Sequence, residues 1–415
     1  MKGVETTSAQ YDVIIAGGGN AGLALACALA DALGLGARIA VADRGPLSAP
    51  AAGDIRASAL SAGSKRLLAV IGAWDAVAAD AQPVTAVDIT DSSLKDAFRP
   101  VLVSYDNRVE GDEPATWIVE NDRLRNALLS AAAARPEIAL LGGTGIAAFA
   151  AGEHGVAVDV AGGAVLRGPL LVAADGRKSR LREAAGIKVV GWAYGQAGIV
   201  TTVRHEKLHG GRAVQHFLPS GPFAILPLVG NRSCITWSEE EKRAREILAL
   251  DDAGFLAEVE QRFGRRLGAI TLDGPRASWP LDMHLARALV ADRFALIGDA
   301  AHGVHPIAGQ GLNLGLRDVA ALTEVLADAA RLGLDIGSLA VLERYERWRR
   351  LDSALSAATF DALNRLFSND WTVLRTVRDF GLGLVDRMPG LKQFFVTEAA
   401  GLAGDVPKLL RGEKV

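Results

Sequence analysis

This 415-residue sequence has few cysteines, little net charge and no long apolar run. Each of these features excludes a class of protein. The two cysteines, Cys27 and Cys234, stand far apart, and Cys27 lies in an apolar helical pattern. We therefore expect structural thiols in a reducing compartment, without a disulfide framework. The 45 basic and 48 acidic residues give a formal charge of −3, which offers no basic field for a nucleic acid. No stretch reaches the ~18–20 uninterrupted apolar residues that a spanning helix needs, so the sequence predicts a soluble or at most peripheral protein.

What remains is an ordinary globular composition. Charged residues make up 22% and apolar residues 50%, values that exclude a disordered chain. The length predicts two or three domains with sizeable cores. No internal repeat or low-complexity tail is present.

A glycine-rich turn stands near the start of the chain. The pattern predicts a strand over Tyr11–Ala16, then the sequence GGGNAG over Gly17–Gly22, an apolar helix to Leu33, and a second strand ending at Asp43. In such a unit the first glycine permits the tight turn, the third (Gly19) lets the backbone approach a pyrophosphate, and the last allows close helix–strand packing. Asp43 stands where an acidic residue binds ribose hydroxyls. The whole strand–helix–strand context favours dinucleotide binding over coincidence.

A second strand–loop–helix unit runs from Phe294 to Asp318. A short apolar strand ends at Gly298-Asp299, a loop carries Pro306, Gly309 and Gly311, and helical spacing begins near Leu312. The start of a helix presents unpaired N–H groups and a positive dipole end to an anion or an electron-rich ring. Asp299 is placed to accept hydrogen bonds from a polyol or ribose. An ordinary strand-to-helix turn with a capping aspartate is the simpler interpretation of this unit taken alone.

The intervening chain changes character. Leu170–Ala174 is a buried strand that ends in Asp175-Gly176. From Gly191 to Pro280 short β-rich segments dominate, interrupted by one predicted helix over Glu239–Phe263, so we expect a mainly antiparallel sheet inserted into an α/β domain. After Asp318 the pattern is helical to about Phe380.

Three motifs, in this order, carry a resemblance to a known family. They are Gly17–Gly22 with Asp43, Ala174-Asp175-Gly176 with Ser179 and Arg182, and Gly298-Asp299 continuing through Gly309-Gln310-Gly311 to Asn313. The sequence resembles the class A flavoprotein aromatic hydroxylases of the p-hydroxybenzoate hydroxylase fold, and within them the UbiH/UbiF hydroxylases of ubiquinone biosynthesis. It departs from the family at Asn20-Ala21 and Asp43, where proline with a small residue and glutamate are common.

The resemblance implies an α/β fold: a Rossmann-like FAD-binding domain, an inserted mainly antiparallel β-sheet substrate domain and a helical C-terminal region. We expect the discontinuous FAD-binding domain at residues 1–75, 110–190 and 285–370. The substrate domain would comprise 76–109 and 191–284, and the C-terminal region 371–415.

The resemblance also implies residue roles and a reaction. FAD would be reduced by NAD(P)H as a transient co-substrate, capture O₂ as a C4a-hydroperoxide and transfer OH to a phenolic ring. The helix near Leu312 would stabilise negative charge on the reduced flavin. The residues expected to contact FAD are Gly17, Gly19, Gly22, Asp43, Arg56, Asp175, Gly298, Asp299, Gly311, Leu312 and Asn313. The residues expected to shape the reacting site are Pro306, Gly309, Gln310 and His216.

The histidines each have a simpler interpretation. His216, on a strand of the inserted sheet, could face the substrate, but a satisfied structural histidine is favoured. His302 and His305 could suggest a metal, yet no further ligand completes a site, so we expect none.

The implied partners are a polyprenyl-phenol or other aromatic substrate, O₂ and other ubiquinone-pathway proteins, with no nucleic acid. We expect a cytoplasmic location, at most peripheral to the inner membrane. An apolar stripe at helical spacing in the C-terminal region, with Phe394-Phe395 and Leu409-Leu410, is either core or a lipid or partner surface. The stripe comprises Phe360, Leu363, Phe367, Trp371 and Leu374.

Two other functions stay open at this point. One is a flavin monooxygenase of a soluble aromatic compound or secondary metabolite. The other is a non-catalytic FAD-containing partner in a biosynthetic complex. A plain NAD-dependent dehydrogenase would leave the second and third motifs unexplained.

Overall fold

The structure is a computed structural model that describes residues 8–48, 50, 53–91, 94, 101–304, 311–350 and 396–415. Its strands, in chain order, are β1 Ser8–Gln10, β2 Val13–Ala16, β3 Ile39–Ala42, β4 Ala57–Ser61, β5 Gln82–Pro83, β6 Ala86–Asp91, β7 Val103–Asp106, β8 Thr116–Glu120, β9 Ile138–Leu141, β10 Ile146–Gly152, β11 Gly155–Val160, β12 Val165–Gly168, β13 Leu170–Ala173, β14 Val189–His205, β15 Arg212–Leu218, β16 Gly221–Leu228, β17 Arg232–Glu240, β18 Ile270–Leu272, β19 Ala277–Ala286, β20 Val290–Ala291, β21 Phe294–Leu296 and β22 His302–Gly303.

The helices lie between and after these strands. The α-helices are α1 Asn20–Leu33, α2 Ala62–Val70, α3 Asn121–Ala133, α4 Arg180–Ala184, α5 Glu241–Leu248, α6 Asp252–Phe263 and α7 Gly311–Arg331. Further helical segments lie at 339–350, at 396–399 and at Lys408–Arg411. Single 3₁₀ turns lie at Ala78–Asp80, Glu110–Asp112 and Gly298–Ala300.

A six-stranded sheet in the order β20-β21-β13-β2-β3-β9 forms the centre of the first unit. Five of these strands are parallel, and only β20 runs antiparallel to its neighbour. Strands β2, β3, β13 and β21 are buried along their whole length, as is typical of parallel strands covered on both faces. Their continuous apolar sequences therefore reflect burial of both faces.

A larger sheet forms the second unit, in the order β22-β19-β14-β17-β16-β15-β6-β7 with β18 beside β14. Only the β15–β6 pair is parallel, so the expected mainly antiparallel sheet is present. Helices α5 and α6 pack on one of its faces, around a core that includes Phe223, Trp237 and Phe255. Two smaller sheets, β1-β12-β11-β10 and β4-β8-β5, complete the described strands.

The single helix predicted over Glu239–Phe263 is wrong in detail. Glu239 and Glu240 still belong to β17, and the helical part is divided into α5 and α6. The Asp251 carboxylate accepts the Gly254 N–H at 2.8 Å and caps α6, which gives the chain a new helix start instead of a continuation.

The C-terminal predictions are only partly within the described residues. The apolar stripe from Phe360 to Leu374 and the Phe394-Phe395 pair lie outside them. Leu409 and Leu410 are buried in the main core, so their assignment as candidates for a lipid surface is wrong. Within the described ranges, no helix combines the length and apolar character that crossing a bilayer requires.

Buried charged side chains join α7 to the parallel sheet through hydrogen bonds. The Asp318 carboxylate is fully buried; it accepts the Gly298 N–H at 2.9 Å, His302 Nε2 at 2.6 Å and Arg349 Nε at 2.8 Å. Burial alone would raise the pKa of Asp318, but the charges and hydrogen bonds of His302 and Arg349 outweigh it and lower that pKa. Tyr345, one turn before Arg349, donates its hydroxyl to the Leu296 carbonyl at 2.8 Å. Helix 339–350, α7 and the end of β21 therefore form one hydrogen-bonded assembly.

Replacing Asp318 by asparagine should lower the free energy of unfolding by ~3–5 kcal/mol, because it removes the buried carboxylate that pairs with the buried Arg349 guanidinium at 2.8 Å. Urea unfolding at pH 7 measures this. A carboxyl whose pKa is lowered by folding stabilises the folded state above its unfolded pKa and loses that contribution as pH falls through the folded pKa. The deficit of Asp318→Asn should therefore shrink at acidic pH, where wild-type Asp318 becomes protonated.

Asp328→Asn is the matched control on the same helix. Its side chain is 40% exposed and pairs with Arg331 and Arg344 at 3.6 and 3.8 Å, so the loss should stay within about 1 kcal/mol. Equal losses for the two variants would contradict the role given to the buried network.

Candidate active site

Four neighbouring parallel strands end at the same level. Ala42, Ala16, Ala173 and Leu296, each at the end of its strand, pair in register across β3, β2, β13 and β21. The residues that follow these four strand ends within the next three positions include Asp43, Gly17, Asp175 and the Gly298-Asp299 pair. The carboxyl edge of such a sheet is where open α/β folds bind ligands. The three glycine–aspartate motifs thus meet at one edge.

The first motif has the backbone that its glycines predict. Gly17 has φ +111°, and a Cβ there would overlap the Ala174 carbonyl of the second motif. A Cβ on Gly22 would overlap the Gly17 carbonyl, so close packing excludes a larger residue. At Gly19, by contrast, a Cβ would meet no atom of the described chain within 4 Å. The side of the loop that is expected to approach a pyrophosphate is therefore open.

Asp43 lies beside this loop. One of its carboxylate oxygens accepts the Gly18 N–H at 2.6 Å and the other accepts the Gly45 N–H at 2.7 Å. The side chain is half-buried, and each oxygen keeps a lone pair for a further donor. The carboxylate is thus held in place and can accept further hydrogen bonds.

The second motif contributes an acceptor without a partner. Asp175 Oδ1 is buried and has no hydrogen-bond partner among the described residues, and the same is true of Asn20 Oδ1 at the start of α1. Arg182, buried behind Asp175, donates to the Ala300 carbonyl at 2.8 Å and to the Arg177 carbonyl at 3.1 Å. It ties the second motif to the third. Buried acceptors that lack donors are expected where a ligand supplies them.

The third motif presents its carboxylate to solvent. Asp299 is 50% exposed, and Arg177 Nε lies 3.9 Å from its carboxylate. Arg177 also pairs with Asp282 of β19, which links this corner to the antiparallel sheet. His284 of β19 hydrogen-bonds through Nε2 to the Asp299 carbonyl at 2.9 Å. Burial lowers the pKa of His284, so it is neutral near pH 7.

The start of α7 reaches the same edge. Gly298 packs against Ala21 of α1 and Gly315 of α7, so both helices begin beside the third motif. A Cβ on Gly311 would meet no described atom within 4 Å, and Leu312 is half-buried. Neither helix has an acidic residue in its first turn to offset the positive end. Pro306, Gly309 and Gln310 lie outside the described residues.

Asn313 has a structural role that its motif did not reveal. Its side chain is buried, donates to the Ala59 carbonyl at 2.7 Å, and accepts from Ser61 N at 2.9 Å and from Ser64 Oγ at 2.8 Å. It therefore fixes β4 and α2 against the first turn of α7.

Arg56 is a second cation near Asp299 of the third motif. Its guanidinium donates to Asp54 through Nε and Nη2 at 2.7 and 2.6 Å, and Asp54 is held by Asn121 at 3.0 Å. The guanidinium also lies over the Trp279 ring of β19, 5.2 Å from its centroid. Hydrogen bonding to Asp54 raises the pKa of Arg56 despite partial burial, and the charge of Asp299 contributes in the same direction. Arg56 is thus a fixed cation near the third motif.

Arg125 of α3 is a site residue that the motifs miss. Its Nε donates to the Gly18 carbonyl and its Nη2 to the Pro46 carbonyl, both at 3.3 Å. This places a cation beside the open glycine loop. Arg125 follows the apolar Leu124 of an amphipathic helix, and nothing in that pattern distinguishes it from a solvated residue.

His216 lies on the opposite face of the large sheet from the motifs. Its Nδ1 is 2.6 Å from Thr90 Oγ1, its ring packs on Phe223 at 6.2 Å between centroids, and it lines a cavity of about 590 Å³ beside α6. This placement favours the structural interpretation of His216. His302 is bound to Asp318, and His305 lies outside the described residues; among those described, no group of three or more metal-ligating side chains gathers.

The geometry fits an extended dinucleotide. Along one sheet edge lie the open backbone at Gly19 and Gly311, the solvent-facing Asp299, and two acceptors, at Asn20 and Asp175, that have no partner among the described residues. Two helix starts and Arg125 supply positive charge for a pyrophosphate.

Comparison with known proteins agrees with this arrangement. Residues 10–355 match the model of a family described as FAD binding domain. The chain is 44% identical over 406 residues to the ubiquinone hydroxylase UbiL of Rhodospirillum rubrum, covering 97% of this chain and 92% of that protein. It is 35% identical over 399 residues to the 3-demethoxyubiquinol 3-hydroxylase of Escherichia coli, covering 95% and 100%.

Solved structures agree at the level of fold. p-Nitrophenol 4-monooxygenase PnpA of Pseudomonas putida superposes with a TM-score of 0.79 at 19% identity, over 96% of this chain and 99% of that one. The family match and the two full-length relatives establish what the sheet edge alone could not: this chain belongs to the FAD-dependent aromatic hydroxylases.

Proposed function

We propose that this enzyme hydroxylates the aromatic ring of a polyprenylated phenol in ubiquinone biosynthesis, with NAD(P)H and O₂ as co-substrates. The observation that carries the proposal is the full-length similarity to two hydroxylases whose names specify ubiquinone or a ubiquinol. In the overall reaction, NAD(P)H, a proton, O₂ and the phenol give NAD(P)⁺, water and a ring that carries one more hydroxyl. FAD, when bound, supplies the redox chemistry, accepting electrons from NAD(P)H and passing one oxygen atom of O₂ to the ring.

The residues that would hold FAD divide by chemistry. The open backbone of the Gly17–Gly22 loop, together with Arg125, would bind the pyrophosphate, and Asp43 the adenosine ribose. Asp175 and Asn20 would receive donors from the nucleotide, because their buried oxygens have none in the described chain. Asp299 would accept the hydroxyls of the ribityl chain.

The start of α7 would serve the flavin ring. N–H groups at Gly311 and Leu312, with the positive end of the helix, would stabilise negative charge on the reduced ring. Arg56 would lie along the edge of the cofactor, and Pro306, Gly309 and Gln310 would complete the pocket. The substrate domain, 76–109 and 191–284, would close over this ring and exclude the water that otherwise releases peroxide.

Asp299→Ala should weaken FAD binding by roughly tenfold, through the loss of one or two hydrogen bonds of ~1 kcal/mol each. Titration of apoprotein with FAD, followed by flavin absorbance, measures the dissociation constant. Stability should change little because the side chain is half-exposed. Asp292→Ala, an exposed aspartate seven residues earlier, is the control; an unchanged FAD constant in Asp299→Ala would remove Asp299 from the site.

The substrate class is tested by comparing prenylated and unprenylated phenols as substrates of the FAD-loaded enzyme. Burial contributes about 0.8 kcal/mol per CH₂, so a five-carbon prenyl group should raise kcat/KM at least tenfold. Product mass shows whether one oxygen atom is added. A preference for the unprenylated ring would indicate a hydroxylase of soluble aromatics, and bound FAD without substrate-stimulated NAD(P)H oxidation would indicate a non-catalytic partner.

We also propose peripheral contact with the membrane that holds such a substrate, through apolar positions of the C-terminal region 371–415 such as Phe394 and Phe395. Flotation with liposomes, with and without the residues after Asp370, measures it. The full chain should float and the shortened chain should not. Equal recovery of both in the soluble fraction would contradict membrane contact.

A further inference from the structure

The large sheet offers two faces with different surroundings, and Gln215 lies on the one turned to the motifs. Side chains alternate along a strand, so Gln215 shares a face with Ala213 and opposes His216. Ala213 packs in a small core with Ala59 of β4, whose carbonyl accepts the hydrogen bond from Asn313 at the start of α7. The face that carries Gln215 is therefore the face that meets the flavin side of the molecule.

The side chains on this face around Gln215 are less buried than those on the opposite face. In register across the sheet lie Ile89, Gln215, Ala224, Thr236 and Val200. The first four are only half-buried although their strands are in the sheet interior. On the opposite face the residues beside them, among them Phe223, Ile235 and Trp237, are buried under α5 and α6. The face that carries Gln215 is therefore the less covered of the two at this row. It lies next to β4, which Asn313 joins to the start of α7, so an aromatic ring can be accommodated there.

The amide of Gln215 provides a hydrogen-bond donor on this face. Its Nε2 is buried and has no hydrogen-bond partner among the described residues. Leaving a buried amide N–H unpaired is costly, so a ligand atom is expected to pair with it. None of the five side chains in the row carries a charge. The row therefore suits a neutral ring with an oxygen substituent and provides no cation for a ring carboxylate.

Resting on the proposed function, we infer that Gln215 binds the substrate by donating its Nε2–H to the phenolic oxygen. This contact orients the ring and distinguishes a phenol from a hydrocarbon of the same shape. Gln215, and not its neighbour His216, is the residue of β15 that contacts the substrate.

The test is calorimetric binding of two ligands, 2-geranylphenol and geranylbenzene, to the FAD-loaded wild type and Gln215→Met. Methionine keeps the length of the side chain and removes the donor. Wild type should bind the phenol about three- to tenfold more tightly than the hydrocarbon, the range of one neutral hydrogen bond. Gln215→Met should bind both alike, with its loss confined to the phenol, and should show a raised KM with more peroxide released per NAD(P)H oxidised.

Gln261→Met, an exposed glutamine of α6 beyond the opposite face, is the matched control and should behave as wild type. If wild type hydroxylates 2-geranylphenol and Gln215→Met keeps the full preference for the phenol, the inference about Gln215 is overturned and the proposed function stands. If wild type neither binds nor hydroxylates 2-geranylphenol while retaining FAD, both are overturned. Equal losses for the phenol and the hydrocarbon would indicate a packing role for Gln215 and would also overturn the inference.

Discussion

The active site depends on the register of four parallel strands. The ladder continues one residue beyond the strand ends: Gly17 N donates to Ala42 O at 2.8 Å, Ala174 N to Ala16 O at 2.7 Å, and Ile297 N to Ala173 O at 3.0 Å. These bonds hold three separate turns at one level. A slip of two residues in any strand would displace its corner by about 6.6 Å, more than the reach of a hydrogen bond. The geometry of the site therefore depends first on the register of the sheet and only then on individual side chains.

Charge at this edge comes mainly from the backbone. Helices α1 and α7 begin there, and each contributes roughly half a positive charge through unpaired N–H groups. The aspartates stand apart from one another, so each can accept from a different part of a long ligand. Asp43 is already held by two backbone donors, whereas Asp175 keeps a buried oxygen free of partners in the described chain. The edge thus combines donors for phosphate with acceptors for hydroxyls.

Local features of the sequence predicted this edge well, and contacts between distant segments account for what they missed. A strand, a glycine turn and a helix are encoded within some 20 residues, so the corners at Gly17 and Gly298 could be placed from the sequence. Arg125 reaches the glycine loop from 107 residues away, and Asp318 finds Arg349 31 residues later. Neither contact leaves a repeating pattern in the sequence from which it could be predicted. The break between α5 and α6 was missed because Asp251, which caps α6, lies inside a continuous helical pattern.

The orientation of His216 is a further feature that depends on a contact between distant segments. Its chemistry suggested the reacting site, yet the face of β15 on which it lies depends on the parallel pairing with β6. In that pairing Thr90, 126 residues earlier, lies opposite His216 and hydrogen-bonds to it. One position along the strand, Gln215 lies on the other face, next to the core that contains Ala59 of β4.

The distribution of charge over the large sheet suits oxygen transfer to a ring. Asp88 and Arg212, on adjacent strands, pair at 2.6 Å on the face that carries α6, and Arg266 adds a second partner for Asp88 at 2.6 Å. The opposite face has uncharged side chains in the row around Gln215. A charged group there would hold water, and water near the reactive flavin diverts oxygen to peroxide. A neutral amide can orient a phenol without that hydration. In the row around Gln215, Thr236 adds one further polar side chain, and it too is uncharged.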